Sequence, residues 1–291
     1  MSDPKQQHFV PQVYLQHFSV GKQIYFYDQK SKKTALANIG NVAKEKDFYT
    51  DISQEDKYFY ENYYSRTVEP VLGKLLDRII TSATLCNENA PLLSDNDRSS
   101  LSKMLVYQML RTRASRNFMQ KKAHEVAESI FAQAMIMPEM ISNKDFRAIV
   151  EDSRTLDKSK FKEIALPVMI DETRVTRYSN ILDSMVCTFY ENRTDSKFIT
   201  SDNPVTITRL STNDLGLGEA GLGYLDCVLA YPINPRIAAV LFHRDFLGKS
   251  TFLKRENRKV PITQKEIINT LNRCQCVQAS RQVYSQTPFE K

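Results

Sequence analysis

The chain has 291 residues, of which 42% are hydrophobic and 25% charged, and this composition excludes a disordered or fibrous protein. Five sparsely spaced cysteines exclude a disulfide framework, and without an apolar signal core near the N-terminus we expect a cytoplasmic protein. No stretch approaches the roughly 18 apolar residues of a membrane span, so no membrane partner is expected. The formal net charge of +6 mildly favours an anionic partner such as nucleic acid.

The first 50 residues predict irregular and β structure. Residues 24–27 are aromatic and β-branched, which is typical of a strand. Polar turn residues follow at 28–33, and residues 34–39 can return as a second strand. A β-hairpin is therefore predicted near the N-terminus.

Residues 53–192 predict a helical middle, because apolar residues recur there at helical spacing. Pro70 should kink or divide the first of these helices. One long helix is predicted from about Asp97 to Met137, and its apolar residues on several faces place it centrally. Shorter helical pieces are expected at 143–168, and another helix over 172–192.

Residues 196–291 predict mainly strands and a final helix. Strands at 198–200 and 205–208 flank a turn, 227–231 and 237–242 read as buried strands, and 263–280 as the helix. Because β segments bracket the helical middle, we expect one α+β domain over residues 1–291. Its terminal β parts, 1–50 and 196–291, should pair or pack together.

A glycine-rich segment at 216–221 matches the pattern G-x-G-x-x-G. That pattern binds a dinucleotide only between a strand and a helix, and no helix is predicted to follow it. A mobile loop is expected, with a lid over a site as the functional alternative.

The segment from Thr200 to Pro204 is the most suggestive local motif. It lies between two predicted strands and contains Ser201, Asp202 and Asn203. Asp and Asn side chains often cap such turns, which is the structural interpretation. The functional interpretation is a catalytic carboxylate at a strand end, with an amide beside it that binds substrate.

Gln108 and Arg111 lie one helical turn apart on a mostly apolar helix face. Buried polar groups need partners, so one interpretation is a structural network with a carboxylate such as Glu61 or Glu69. The other places Gln108 and Arg111 on the floor of a site.

Basic residues without an intervening acid form a run from residue 98 to residue 122. A solvated surface and a phosphate-binding patch are both open. The run comprises Arg98, Lys103, Arg111, Arg113, Arg116, Lys121 and Lys122. Near the N-terminus, His8, Gln12 and Tyr14 are further potential site donors, or residues that cap the edge of the fold.

Three segments together resemble a bacterial family known as domain of unknown function 4238. They are the opening HFVPQVYLQHF at 8–18, NVAKEKDFY at 41–49 and FITSDNP at 198–204. Gln108 and Arg111 fall where sequences of this family also carry Gln and Arg. The resemblance spans nearly the whole chain.

The resemblance implies a role in bacterial anti-phage defence, because relatives look like DNA glycosylases that remove modified bases from phage DNA. The target nucleotide would be flipped into a pocket. Asp202 would stabilise an oxocarbenium-like sugar or activate water, and Asn203 and Gln108 would bind the base. Arg111 would bind a phosphate or orient Asp202, while the basic helix and the N-terminal segment would hold the DNA backbone.

Three functions are therefore carried forward. The first is a DNA glycosylase, a hydrolase that needs no metal or cofactor and no obligate protein partner. The second is a metal-dependent nuclease, which would need at least two clustered carboxylates. Glu61, Glu69 and Asp202 could supply them only if the fold brings them together. The third is a non-catalytic nucleic-acid-binding sensor.

Overall fold

The computed structural model describes residues 6–289 except 53, 135–143, 145–164, 212–220 and 248–250. Helices and strands both contribute, which confirms the α+β class. The strands are β1 (Gln6–His8), β2 (Gln23–Asp28), β3 (Lys33–Asn38), β4 (Lys44–Lys46), β5 (Val186–Asn192), β6 (Thr200–Ser201), β7 (Thr206–Arg209), β8 (Cys227–Asn234), β9 (Ile237–Phe242), β10 (Lys259–Ile262) and β11 (Gln282–Ser285).

Helices in the described ranges surround these strands. They are α1 (Gln12–Leu15), α2 (Phe59–Tyr63), α3 (Glu69–Leu85), α4 (Asp95–Leu110), α5 (Arg113–Ala134), α6 (Glu172–Ser184), α7 (Arg244–Leu247) and α8 (Lys265–Gln278). Residues 165–170 are also helical. A π-helical turn, Tyr64–Val68, joins α2 to α3.

The largest sheet has the strand order β10–β5–β9–β8–β7. Its pairs are antiparallel except for β10, which runs parallel to β5. The central strands β8 and β9 are almost fully buried, as their continuous apolar runs predict for strands covered on both faces. On one face, Ile268 of α8 packs with Phe198, Ala238 and Ile262.

The second sheet, ordered β3–β2–β11–β6, joins the two ends of the chain. The β2–β3 hairpin confirms the predicted N-terminal hairpin. Strand β11 pairs antiparallel with β2, with Tyr25 opposite Ser285. The expected association of the terminal β parts is therefore confirmed by direct strand pairing. A separate pair, β1 and β4, carries the N-terminal segment.

The predicted helix from Asp97 to Met137 is interrupted, so the prediction of one continuous helix was wrong. Helix α4 ends at Leu110 and α5 begins at Arg113. At the break, the Thr112 hydroxyl accepts a hydrogen bond from the Ser115 backbone N–H at 3.1 Å, as an N-cap residue does.

The prediction of a helix over 172–192 was correct only in its first part. Helix α6 ends at Ser184, and residues 186–192 form β5 instead. The sequence of β5 is rich in β-branched and aromatic residues, and pairing with β9 and β10 outweighs the local helical spacing.

Other predictions have mixed outcomes. Pro70 lies in the first turn of α3, directly after the π-helical turn, and this confirms the predicted division of the first helix. Most of the helical pieces expected at 143–168 lie outside the described residues, as does most of the glycine-rich segment at 216–221. None of the helices in the described ranges is long and apolar enough to cross a membrane.

Candidate functional site

A buried polar cluster surrounds Arg111, at the break between α4 and α5. We call it the Arg111 cluster. It draws on β1, on the segment after β4, on the α2–α3 region and on the end of α4. Its members are His8, Tyr49, Glu61, Tyr64, Glu69, Gln108 and Arg111.

The Arg111 guanidinium is only 1% exposed and is held from several sides. Its Nη2 donates to Glu69 Oε1 at 2.9 Å and to the carbonyl oxygen of His8 at 2.6 Å. Its Nε donates to the hydroxyl of Tyr49 at 3.1 Å, and the Tyr64 ring lies 4.4 Å away. A buried charge is costly unless it is paired and hydrogen-bonded, and these contacts supply the pairing.

Glu61 and Glu69 lie on either side of the π-helical turn, and Arg111 is ion-paired with Glu69 and electrostatically coupled to Glu61. Residues eight apart in a regular α-helix differ by roughly 80° around the axis. A π turn winds more slowly and reduces this difference, so both glutamates come onto one side. Consistent with this, Glu61 interacts electrostatically with both Arg111 and Glu69. One carboxyl group is therefore ion-paired with Arg111, and a second is influenced by its charge.

Burial changes the protonation of two members of the cluster. It raises the pKa of Glu61 to about 7, although the charge of Arg111 opposes the rise. Burial lowers the pKa of His8 to about 4, against the opposing effect of Glu69. At neutral pH, Glu61 can therefore hold a proton and donate it, while the imidazole of His8 is neutral.

Several buried polar atoms in and beside this cluster have no hydrogen-bond partner among the described residues. The large majority of buried polar atoms in proteins are hydrogen-bonded, so a concentration of exceptions is informative. Tyr231, whose ring stacks on Tyr14, interacts electrostatically with Arg111. The unpartnered atoms are His8 Nε2, Glu61 Oε2, Gln108 Oε1, Arg111 Nη1 and Tyr231 OH. They indicate a site for a polar ligand.

Asp202 lies at the end of β6, where it is 1% exposed. Its Oδ1 accepts a hydrogen bond from the backbone N–H of Ser280 at 2.7 Å, and its Oδ2 accepts one from Gln282 at 3.0 Å. Burial raises the pKa of Asp202 to about 6, against the effect of these two bonds. The carboxylate thus fastens β6 to the chain entering β11.

The neighbours of Asp202 are tied to α8. The Ser201 hydroxyl donates to Gln275 Oε1 at 2.8 Å. The Asn203 side-chain amide donates to the carbonyl oxygen of Gln278 at 3.2 Å. These contacts are those of a capped, buried turn, which was the structural interpretation of the motif.

The predicted site residues thus form two groups. His8, Gln108 and Arg111 meet in the Arg111 cluster. Ser201, Asp202 and Asn203 meet at the end of α8, and the hydrogen bonds of Asp202 in the described structure go to backbone amides, not to Gln108 or Arg111.

Arg113 is electrostatically coupled to Asp202, and its guanidinium lies over the ring of Phe9, the chain neighbour of His8. The other two candidates near the N-terminus, Tyr14 and Gln12, belong to neither group. Tyr14 is in the core, where its hydroxyl donates to the carbonyl oxygen of Pro232 at 2.7 Å and contacts the Thr200 hydroxyl at 2.6 Å. Gln12 is exposed at the start of α1.

The basic run does not form one free patch. Arg98 is buried and donates to the carbonyl oxygens of Leu182 and Met185 at the end of α6. Lys103 pairs with Glu172 at 2.9 Å.

The remaining basic residues contact two glutamates. Lys121 and Lys122 lie 3.9 and 2.6 Å from Glu125. Arg113 and Arg116 share the single carboxylate of Glu45, at 2.8 and 2.9 Å, and so keep one net positive charge. Their guanidiniums lie over the rings of Phe9 and Phe48, which are chain neighbours of His8 and Tyr49 in the Arg111 cluster.

The sequence prediction considered Glu61 and Glu69 only as network partners or as metal ligands. The ion pair of Glu69 with Arg111 confirms the first of these for Glu69. The approach of both Glu61 and Glu69 to Arg111 depends on the π-helical turn. The sequence signals for this turn are only the eight-residue spacing of the two glutamates and the nearby Pro70. The described residues contain no group of three or more His, Cys, Asp or Glu side chains that could hold a metal ion.

The structure thus defines an α+β protein with a buried, charged polar cluster at a helix break. The model of the family described as "Protein of unknown function (DUF4238)" matches residues 6–289, so the chain belongs to this family. The chain has no significant match among curated proteins or among solved structures.

Proposed function

We propose that this protein is a hydrolase that cleaves the N-glycosidic bond of a base flipped out of DNA, with the Arg111 cluster as its active site. The observation that carries the proposal is the pair of glutamates beside Arg111. Burial raises the pKa of Glu61 to about 7, while Glu69 is ion-paired with the guanidinium. Two carboxyl groups in contrasting environments are the usual arrangement for acid–base hydrolysis of glycosidic bonds.

Each glutamate has a defined task in this reaction. As the bond between the base and C1′ breaks, Glu61 donates its proton to the departing base, and the sugar develops positive charge. The Glu69 carboxylate stabilises that charge and accepts a proton from water, whose oxygen bonds to C1′. The products are the free base and an abasic site. Proton transfer by a positioned acid contributes about 10²- to 10⁴-fold to such rates.

Positive charge next to the cluster supports a DNA substrate. Arg113 and Arg116 share one carboxylate, and both are about one-fifth exposed. Their remaining positive charge suits a backbone phosphate beside a flipped nucleotide. The family resemblance extends the proposal to phage DNA with modified bases, and to anti-phage defence as its setting.

Asp202 as the catalytic carboxylate is the second candidate. Its raised pKa and its electrostatic coupling to Arg113 favour it. Against it, both of its oxygens already accept backbone hydrogen bonds, and it is almost fully buried. The geometry therefore favours Glu61.

The test is to incubate the purified protein with unmodified DNA and with phage DNA carrying modified bases, with and without chelator, and then to treat half of each sample with alkali. Strand breaks that require alkali, and that are lost in Glu61→Gln, are the expected result. Breaks without alkali that vanish with chelator would show a metal-dependent nuclease instead. DNA binding without breaks of either kind would favour the sensor.

A further inference from the structure

Gln108 and Arg111 are anchored on consecutive carbonyl groups of one segment. Gln108 Nε2 donates to the carbonyl oxygen of Phe9 at 3.3 Å, and Arg111 Nη2 donates to that of His8 at 2.6 Å. Each side chain is thus fixed through one arm, while its other arm, Gln108 Oε1 or Arg111 Nη1, is buried without a partner. Because the residues are one helical turn apart and are anchored on consecutive carbonyl groups, neighbouring side chains offer one free acceptor and one free donor.

The anchoring bonds determine what these two free arms can bind. Since the Nε2 of Gln108 is used on Phe9, its Oε1 is left, and this atom can only accept. Arg111 Nη1 carries two N–H groups and can only donate. The complementary ligand edge must therefore present an N–H donor next to an acceptor. The hydroxyl of Tyr231, also buried and unpartnered, can play either part.

Nucleobases offer two edges of this general kind. A lactam edge places a carbonyl oxygen beside a ring N–H, as in 6-oxopurines and 2,4-dioxopyrimidines. An amidine edge places an amino group beside a ring nitrogen, as in adenine and cytosine. The two N–H groups of Arg111 Nη1 diverge, so either acceptor, the carbonyl oxygen or the ring nitrogen, takes only one of them, and the acceptor does not distinguish the two edges.

The donor of the ligand edge does distinguish them. A ring N–H has a single hydrogen for Gln108 Oε1, whereas an amino group brings a second N–H that needs another acceptor. An unmatched polar group in a buried site lowers affinity. Building on the proposed base-excision function, we propose that Gln108 and Arg111 make the Arg111 cluster selective for a nucleobase with a lactam edge.

The test uses two matched pairs of nucleosides, inosine with adenosine and uridine with cytidine. Within each pair only this edge differs. Binding to the purified full-length protein is measured by isothermal titration calorimetry at pH 7.5. The expected result is affinity at least about tenfold higher for inosine than for adenosine, and for uridine than for cytidine. Equal affinities, tighter binding of adenosine or cytidine, or no binding of any of the four at millimolar concentration would overturn the proposal.

A variant locates the selectivity. Gln108→Leu removes the free acceptor and should bring the affinity for inosine close to that for adenosine. Gln16→Leu, at an exposed glutamine beside α1, is the matched control and should change neither affinity. Base release from DNA is measured separately. Lactam selectivity without base release would contradict the hydrolase and leave this inference standing, whereas base release with amidine selectivity would contradict this inference alone.

Discussion

Glu61 couples the chemistry of the proposed site to the stability of the protein. In the folded state its pKa is about 7, above the usual 4.5 of a glutamic acid. The folded protein therefore holds this proton more tightly than the unfolded chain. The resulting stabilisation is fully present below about pH 4.5 and is lost as the pH rises through 7.

Glu61→Gln should therefore change the pH dependence of stability. Glutamine stays neutral, so the free energy of unfolding of this variant relative to wild type should increase from pH 5 to about pH 7 and level off by pH 8. Chemical denaturation at several pH values measures the difference. His8 acts in the opposite sense, because its pKa is lowered to about 4 and its contribution is lost as the pH falls from 6.5. His8 is present in both proteins, so its contribution cancels in the difference between their free energies of unfolding. If the two free energies varied with pH in the same way, the raised pKa of Glu61 would be contradicted.

Asp202 illustrates how a suggestive motif can serve the fold. Its carboxylate accepts two backbone N–H groups that join β6 to the chain entering β11. In Asp202→Asn one oxygen is replaced by an amide nitrogen, which would face a backbone donor. The variant should be less stable than wild type by about 1–3 kcal/mol, because a buried donor loses its partner.

Urea denaturation at pH 7.5 measures this loss. Asp195→Asn is the matched control, since Asp195 is 81% exposed and pairs with Lys265 on the surface. Its stability should stay within about 0.5 kcal/mol of wild type. Equal stability of Asp202→Asn and wild type would show that the two backbone bonds contribute little.

At the scale of elements, the π-helical turn positions the candidate site. It lies between Glu61 and Glu69 and brings both onto the side of Arg111. Inserting one alanine after Ser65, an exposed residue within the turn, should add about 100° of helical rotation and turn Glu61 away from Arg111 relative to α3. The insertion variant should remain folded by circular dichroism but lose at least about tenfold in base release, because the general acid is displaced.

Ser65→Ala is the control for the insertion, since it keeps the chain length and should retain the wild-type rate. A folded insertion variant with unchanged activity would show that the π turn does not position Glu61.

Some elements could be predicted from the sequence, and others depended on distant partners. The apolar run of β9 and the hairpin β2–β3 have local patterns that match the structure. The Gln108–Arg111 pair was also visible, because a spacing of three residues places side chains together on a helix. The break at Thr112 was not visible, because the surrounding residues continue the helical spacing. Strand β5 continues the apolar pattern of α6, and only pairing with β9 and β10 makes it a strand.

At the scale of the whole molecule, the two ends of the chain form one sheet. Strand β11 lies between β2 and β6, so the hairpin near residue 30 and the Ser201–Asn203 turn share the C-terminal strand. The α+β class and the association of the ends were predictable from the order of the elements. The convergence of His8, Glu61, Glu69 and Arg111 was not, because it depends on contacts between segments up to 103 residues apart.

The central claim is that Glu61 is the proton donor of a base-excising site, and single-turnover base release from phage DNA with modified bases tests it most directly. Wild type, Glu61→Gln and Asp202→Asn are compared at pH 7, with each rate normalised to the folded fraction. We predict a loss of about 10²- to 10⁴-fold in Glu61→Gln and a rate within about tenfold of wild type in Asp202→Asn, as expected for a residue that stabilises the fold. A near-normal rate in Glu61→Gln, with activity abolished in folded Asp202→Asn, would contradict this assignment and make Asp202 the catalytic carboxylate.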